Sequence, residues 1–282
     1  MKKKVLLRGP ILTRSGYGEQ SRFALRALLS RADLFDVYIH PVNWGQTSWM
    51  YEDNEERALI DQLIRKTIGY TNGGGQFDIS IQCTIPNEWE KIAPVNVGYT
   101  AGIETNRVAH QWIQISEAVI DRIIVVSEHS KTSFTETVHH GTETATGREV
   151  VVQLPKDYDI RSVGYPVKTF KELPELELET ATSFNFLCVA QMGPRKNLQN
   201  TVKWFFEEFH DEPEVGLILK TNVARNCLMD RNKIFRDLKA SIDIHYPEAQ
   251  CKLYLLHGDM TDQEMHALYK EPAVNAFYML SH

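Results

Sequence analysis

The chain has 282 residues, 43% of them hydrophobic and 24% charged. That is an ordinary balance for a folded protein with room for two domains. The formal net charge of −6 disfavours a general affinity for nucleic acid, and three lysines beside an apparent strand are too few for a nucleic-acid arm. No apolar stretch approaches a membrane span, and Val5-Leu6-Leu7 is too short for a signal-peptide core. Cys83, Cys188, Cys227 and Cys251 are scattered with no CxxC pair, so neither a disulfide nor a zinc site is expected. A reducing, cytoplasmic location fits, including one at the periphery of a membrane.

Short apolar runs alternate with helical patterns from the start. Lys4 to Arg8 reads as a strand, Glu19 to Ala32 as a helix with Phe23, Ala27 and Leu28 inward, and Phe35 to Val42 as a second strand. Glu55 to Ile68 is helical and is followed by Gly73-Gly74-Gly75. Asp78 to Gln82, Val95 to Tyr99 and Arg122 to Val126 are further strands, with helices over Val108 to Val119 and Ser130 to Val138. Strands separated by helices predict a parallel sheet covered on both faces.

The pattern breaks between Pro155 and Glu179, a stretch with Pro155, Pro166, Pro174 and many charges that reads as a connection. A second strand-helix series then starts at Phe184: Val215 to Lys220 (strand), Arg231 to Ile242 (helix), Lys252 to Leu256 (strand), Thr261 to Tyr269 (helix) and Ala276 to Leu280 (strand). The fold class expected is α/β with two Rossmann-like domains, the second incomplete: residues 1–165, a linker over 166–182, and 183–282. An apolar strand placed last leaves surface to be covered. Either the chain is a fragment of a longer protein, or a partner, including a second copy, covers that surface.

The richest stretch is Ala190-Gln191-Met192-Gly193-Pro194-Arg195-Lys196-Asn197. It follows the apolar run Phe184 to Val189 and precedes a helix whose Leu198, Val202, Phe205, Phe206 and Phe209 form one stripe. Two cations therefore sit where a helix starts. Cations there oppose the helix dipole, so an anionic ligand is the favoured reason for them. A phosphate is the natural candidate.

The order of elements, this Gly-Pro-Arg-Lys-Asn turn and the final apolar run resemble retaining glycosyltransferases of the GT-B architecture, with the "glycosyl transferases group 1" C-terminal domain. The resemblance covers nearly the whole chain and is strongest from Phe184 onward. It implies two Rossmann-like domains facing across a cleft, the acceptor (a glycan, lipid or small molecule) on the first and a nucleotide-sugar on the second. Arg195 and Lys196 take the donor-diphosphate role by motif match, and no metal or other cofactor is expected. With no obvious nucleophile, the resemblance implies same-face attack assisted by the leaving phosphate. Relatives place a glycine-rich loop where Gly16-Tyr17-Gly18 lies, facing the donor phosphates, and Ser15 either caps the helix or donates to a phosphate. Glu104 and Trp112 fall where relatives carry residues near the acceptor, although helical spacing makes Trp112 a core residue. Ser127 falls at a strand's carboxyl end. Gly258 to Tyr269 resembles the turn and helix before the last donor-site strand. The family's acidic pair would follow Ser281-His282, so neither acidic residue lies in these 282 residues. The cleft histidine of many relatives is replaced by Gln82-Cys83-Thr84.

Other signals are weaker. Lys220, at the end of a strand in the second series, is a secondary candidate for phosphate or nucleotide contact, against a plain surface position. His139-His140 reads as an exposed loop, because no carboxylate or cysteine sits at ligand spacing. Asp157-Tyr158-Asp159 resembles a metal-binding DxD but lies in the connection and reads as a solvated turn. Two functions remain open: sugar transfer, or non-catalytic binding of a nucleotide or sugar phosphate on the same scaffold. A nicotinamide-dependent oxidoreductase is disfavoured, since Gly9-Pro10 interrupts any GxGxxG at the first strand.

Overall fold

The computed structural model describes residues 2–45, 47–50, 52–142 and 146–280; Ser281-His282, the threshold of the expected acidic loop, lies outside them. The chain divides into two compact units, Met1–Val167 and Lys168–His282. No helix among the described residues is long and apolar enough to cross a membrane.

The first unit opens with β1 (Lys3–Gly9), α1 (Gly16–Leu29), β2 (Phe35–Pro41), α2 (Glu55–Asn72) and β3 (Ile79–Gln82). It continues with β4 (Val95–Tyr99), α3 (His110–Val119), β5 (Arg122–Val125), α4 (Glu128–Thr135), β6 (His139–Thr142), β7 (Glu149–Val152) and β8 (Ile160–Ser162). Six of the strands form one sheet in the order β2-β1-β3-β4-β5-β8, all parallel. Val5 and Leu7 of β1 pack with Leu25 and Leu28 of α1 and with Ile60 and Leu63 of α2. A second cluster joins Ile113 of α3, Ile123 of β5, Phe134 of α4 and Ile160 of β8. Near-continuous apolar strands of this kind are what a sheet buried on both faces requires.

Two expectations need correction here. The connection expected from Pro155 begins later, because Ile160–Ser162 pairs with β5 as the sixth strand. His139-His140 is not a loop: it starts an antiparallel hairpin, with His139 opposite Val152 and His140 opposite Val151. The His139 ring, through Nε2, is 2.8 Å from the carbonyl oxygen of Val108, so one imidazole serves a structural contact.

The second unit contains β9 (Phe184–Val189), α5 (Leu198–Glu208), β10 (Val215–Lys220), α6 (Leu228–His245), β11 (Lys252–Leu256), α7 (Asp262–Lys270) and β12 (Ala276–Phe277). Its parallel sheet runs β11-β10-β9-β12. The stripe on α5 packs as its spacing requires: Leu198, Val202, Phe205 and Phe206 are buried against Cys188, Leu217 and Leu219. Burying the two phenylalanines stabilises the unit by about 2–3 kcal/mol each. α7 carries a full capping box between Thr261 and Glu264, which fixes its start. The last strand is shorter than its apolar run: only Ala276 and Phe277 pair with β9, and Tyr278 adds one N–H donated to Leu187 O at 2.9 Å. All four cysteines are free thiols, and Cys227 alone among them is exposed.

Candidate functional site

In the second sheet β9 has β10 on one side and β12 on the other, so the strand order reverses at β9. Ligands of open parallel sheets bind beyond the strand ends at such a reversal. The chain leaving β9 there is Ala190 to Asn197. Gly193 is extended (φ −170°), and a Cβ added to it would meet nothing within 4 Å, so the turn is open on that side. Pro194–Lys196 makes one 3-10 turn, and Asn197 (φ 51°) is the chain's one described non-glycine residue at positive φ.

α5 then starts with no side-chain cap, as α3 and α6 do, whereas α1, α2, α4 and α7 are each capped by a side chain. A cavity of about 280 Å³ opens onto this start, lined by Met192, Gly193, Pro194, Asn197, Leu198 and Gln199. An uncapped helix start beside a cavity presents unsatisfied N–H groups and the positive end of the dipole to whatever enters. Arg195 is exposed and Lys196 half-buried. Burial pushes the Cys188 thiol up to about 11, against the opposing pull of the Lys196 ammonium. The thiol thus stays neutral at pH 7.

Three loops meet around this turn. Gln191 donates to Val223 O at 2.8 Å, and the Met192 N–H donates to Asn222 O at 2.7 Å. Asp230 accepts from the Val223 N–H at 2.9 Å and lies 3.2 Å from Nε2 of His257, whose side chain is 2% exposed. Asn226 donates to Asp259 at 2.6 Å. Lys220 is not the surface residue that a strand terminus suggests: it is 9% exposed and donates to Gly258 O. Thr221 Oγ1 and Asn226 Oδ1 are buried with no partner among the described residues, polar atoms that a ligand or water would satisfy.

The first unit has its own reversal, at β1 between β2 and β3. Here Ser15 caps α1, accepting from the Gly18 N–H at 3.0 Å. Thr13 Oγ1 donates to Pro10 O, so in its 2.8 Å contact with Ser15 Oγ the Ser15 hydroxyl is the donor. The buried Arg22 donates to the carbonyls of Ile11 and Thr13 at 2.7 and 2.9 Å and to Glu19 at 2.7 and 3.0 Å. A Cβ on Gly18 would stand 2.1 Å from Thr13 O, whereas one on Gly16 would meet nothing within 4 Å. Gly18 therefore permits a close approach of backbone to helix, while the space above Gly16 is open.

Of the remaining candidates, Glu104 and Ser127 follow the carboxyl ends of β4 and β5. Ser127 caps α4, accepting from the Ser130 N–H at 3.1 Å. Glu104 is exposed in the loop after β4, two residues beyond Gly102 at φ 76°. Trp112 stacks on Phe134 with ring centroids 6.3 Å apart and belongs to the core. The DxD-like segment is structural: Tyr158 donates to the carbonyls of Ser116 and Ile120, and Asp159 accepts from Arg122 and Arg161.

Sequence reasoning missed Arg22, the His257–Asp230 pair and Trp44, which sits 4.6 Å from Tyr17 ring to ring. Arg22 on the first helix carried no signal distinguishing it from a solvated arginine. Trp44 carried one: a tryptophan beside glycine, just past a strand, in a segment with no apolar period.

No protein-family model matches the chain, and no curated protein matches it. Among solved structures, Alr3699/HepE of Anabaena in complex with UDP and glucose aligns with 99% of this chain and 74% of its own, at 14% identity and a TM-score of 0.54. The same protein in complex with UDP-glucose aligns over the same shares at 13% identity and a TM-score of 0.51. This chain has the GT-B fold. The GT-B likeness at such identity is one of architecture, two Rossmann-like units in succession. The lipopolysaccharide outer core galactosyltransferase WaaB, apo form, also aligns, over 100% of this chain and 74% of its own at 11% identity, with a TM-score of 0.45.

Proposed function

We propose that this chain moves a sugar from a nucleotide-diphosphate-sugar to a hydroxyl acceptor with retention, using the second unit for the donor and the first for the acceptor. The observation that carries the reading is the start of α5, without a side-chain cap and open to a cavity lined by Pro194 and Asn197, the residues on either side of Arg195 and Lys196, at the point where strand order reverses. Arg195 and Lys196 hold the donor diphosphate. As the bond to the sugar breaks, negative charge grows on the leaving phosphate, and fixed cations with a helix dipole stabilise that charge more in the transition state than before it. In this reading two side chains, rather than a metal ion, meet the diphosphate. Attack comes from the face the leaving group departs, with the leaving phosphate taking the acceptor's proton. Gly16, Gly18 and Ser15 shape the matching turn of the first unit. Lys220, Glu104 and Ser127 are secondary positions: Lys220 steadies the Gly258 loop, Glu104 serves the acceptor side, and Ser127 orders the start of α4.

HepE was captured with UDP and with UDP-glucose, which makes UDP the first probe. Isothermal titration of the full chain with UDP, ADP and GDP, and with their glucose conjugates, tests the reading. Saturable binding that Arg195→Ala and Lys196→Ala each weaken supports it. Absence of binding by a folded chain overturns it. Binding with no sugar released or transferred in the presence of any acceptor leaves the second function, a nucleotide or sugar-phosphate binder on the same scaffold.

A further inference from the structure

We infer that the acceptor is a neutral carbohydrate and that the loop between β2 and α2, with Trp44 at its centre, is the platform on which it stacks; this rests on the sugar-transfer reading above. Trp44 is half-buried and leans on Tyr17, ring centroids 4.6 Å apart and planes at 48°. Tyr17 is itself fixed. Its hydroxyl contacts Thr100 Oγ1 and donates to Ala101 O, both at 2.8 Å, so the first turn of α1 is tied to the carboxyl end of β4. Burial raises the phenol above its ordinary value, which keeps it uncharged at neutral pH.

The loop is held at both ends. The Val42 N–H donates to Gly9 O at 3.1 Å, the Arg14 N–H to Ser48 O at 2.7 Å, and the Met50 N–H to Leu12 O at 2.8 Å. Thr13 and Trp49 form an antiparallel bridge. Gly45 supplies the left-handed turn (φ 48°), and Thr47 donates to Trp44 O at 2.9 Å. The indole is thus presented at the carboxyl edge of the sheet, where such folds bind ligands, on a support that is ordered in advance.

The chemistry of the surroundings selects the occupant. An indole in a loop, with Trp49 nearby in sequence and 49% exposed, gains little from the core and offers a flat apolar face with a polar rim. A pyranose matches it, with C–H bonds on one face and hydroxyls around the edge. Exposed Asn43 lies beside it in sequence, so a polar side chain is at hand for those hydroxyls. The cations of this region are committed to protein carboxylates: Arg14 to Glu52, Arg22 to Glu19 and Arg57 to Asp61. A phosphorylated acceptor would find its countercharges already engaged. An acyl chain would need a continuous apolar groove, and here Asn43, Thr47 and Ser48 interrupt the tryptophans.

Saturation-transfer NMR on the full chain tests this with maltotriose, cellotriose, mannotriose and triacetylchitotriose, against glucose 6-phosphate and phosphatidylglycerol vesicles. At least one neutral trisaccharide should receive saturation at its ring C–H protons. Trp44→Ala should weaken that binding about tenfold, while Trp44→Phe, which keeps an aromatic face, should stay within about threefold of the parent. UDP affinity measured on the same samples should be unchanged in both variants, and melting transitions matching the parent's show that the substituted first unit folds. No neutral trisaccharide bound, equal binding by Trp44→Ala, or binding confined to the sugar phosphate or the vesicles overturns the inference while UDP still binds. Loss of UDP binding in the parent chain overturns the sugar-transfer reading and the platform with it.

Discussion

Each unit begins with a strand that feeds a helix through a turn, and the two turns are finished in opposite ways. After β1 the turn is closed on itself. Ser15 caps α1, Arg22 takes up the Ile11 and Thr13 carbonyls, and Gly18 lets Thr13 O sit where a side chain would otherwise be. After β9 the turn is left open. Among the described residues no side chain caps α5, Gly193 faces open space, and a cavity lined by Pro194 and Asn197 opens at the turn whose sequence carries the two cations between them. A strand-to-helix turn is not by itself a phosphate site; it becomes one when the protein leaves its helix start unsatisfied. The richer glycine pattern marks the first turn, while the chemistry marks the second.

The sharpest way to break this comparison is to open the closed turn. Arg22→Met keeps the apolar stem but strands two buried carbonyls and leaves the Glu19 carboxylate to Arg26. It should destabilise the chain by roughly 3–5 kcal/mol in urea denaturation. A loss below about 1 kcal/mol would show that the carbonyls find other donors and that the turn is not locked from within.

The same substitution made in both turns comes next. Gly18→Ala drives a methyl into Thr13 O and should cost about 2–3 kcal/mol. Gly193→Ala, in extended backbone with open space around it, should stay within about 0.5 kcal/mol. Equal costs in the two turns would remove the contrast between crowded and open.

Much of the scaffold was legible in the sequence, and the reason is burial. Val5-Leu6-Leu7, Phe186-Leu187-Cys188 and Leu217-Ile218-Leu219 are apolar because both faces of a parallel sheet are covered. The stripe on α5 repeats at helical spacing because one face meets the core. What escaped were elements held by other means. The β6–β7 hairpin exposes Val150 and Val151, so it lacks the alternation of a half-buried strand. β8 is three residues long, with Arg161 at its centre paired to Asp159 just before it, which reads as connecting chain. In the site, Arg195 and Lys196 announced themselves because cations at a helix start run against the dipole. Lys220 was legible only as a strand terminus, since its burial depends on Gly258, far along the chain. Arg22 was silent for the same reason: its partners are Ile11 and Thr13, brought to it by the fold; Trp44 stood out in its loop, but its packing on Tyr17 is equally a product of the fold.

The open turn makes its own demand, on ligand rather than on stability. Arg195→Ala and Lys196→Ala should each weaken UDP about tenfold, or about 1.4 kcal/mol, and the double variant should lose more, because one anion meets both cations. Melting temperatures without nucleotide should stay close to the parent's, since neither side chain is fully buried. A variant that melts early and still binds UDP would make the pair structural.

The smallest effects probe the caps themselves. Ser15→Ala removes the acceptor of the Gly18 N–H and should cost about 1 kcal/mol. At the other turn, Asn197 caps nothing with its side chain, and its φ of 51° suits glycine. Asn197→Gly should therefore change stability by no more than about 0.5 kcal/mol. The pair of measurements separates two explanations for the open turn. If Asn197→Gly costs as much as Ser15→Ala, then α5 is capped in solution through Asn197, and its first N–H groups are not waiting for an anion. If only Ser15→Ala costs, the start of α5 stays unsatisfied until a ligand arrives, and UDP should raise the melting temperature of Asn197→Gly as far as it raises that of the parent chain.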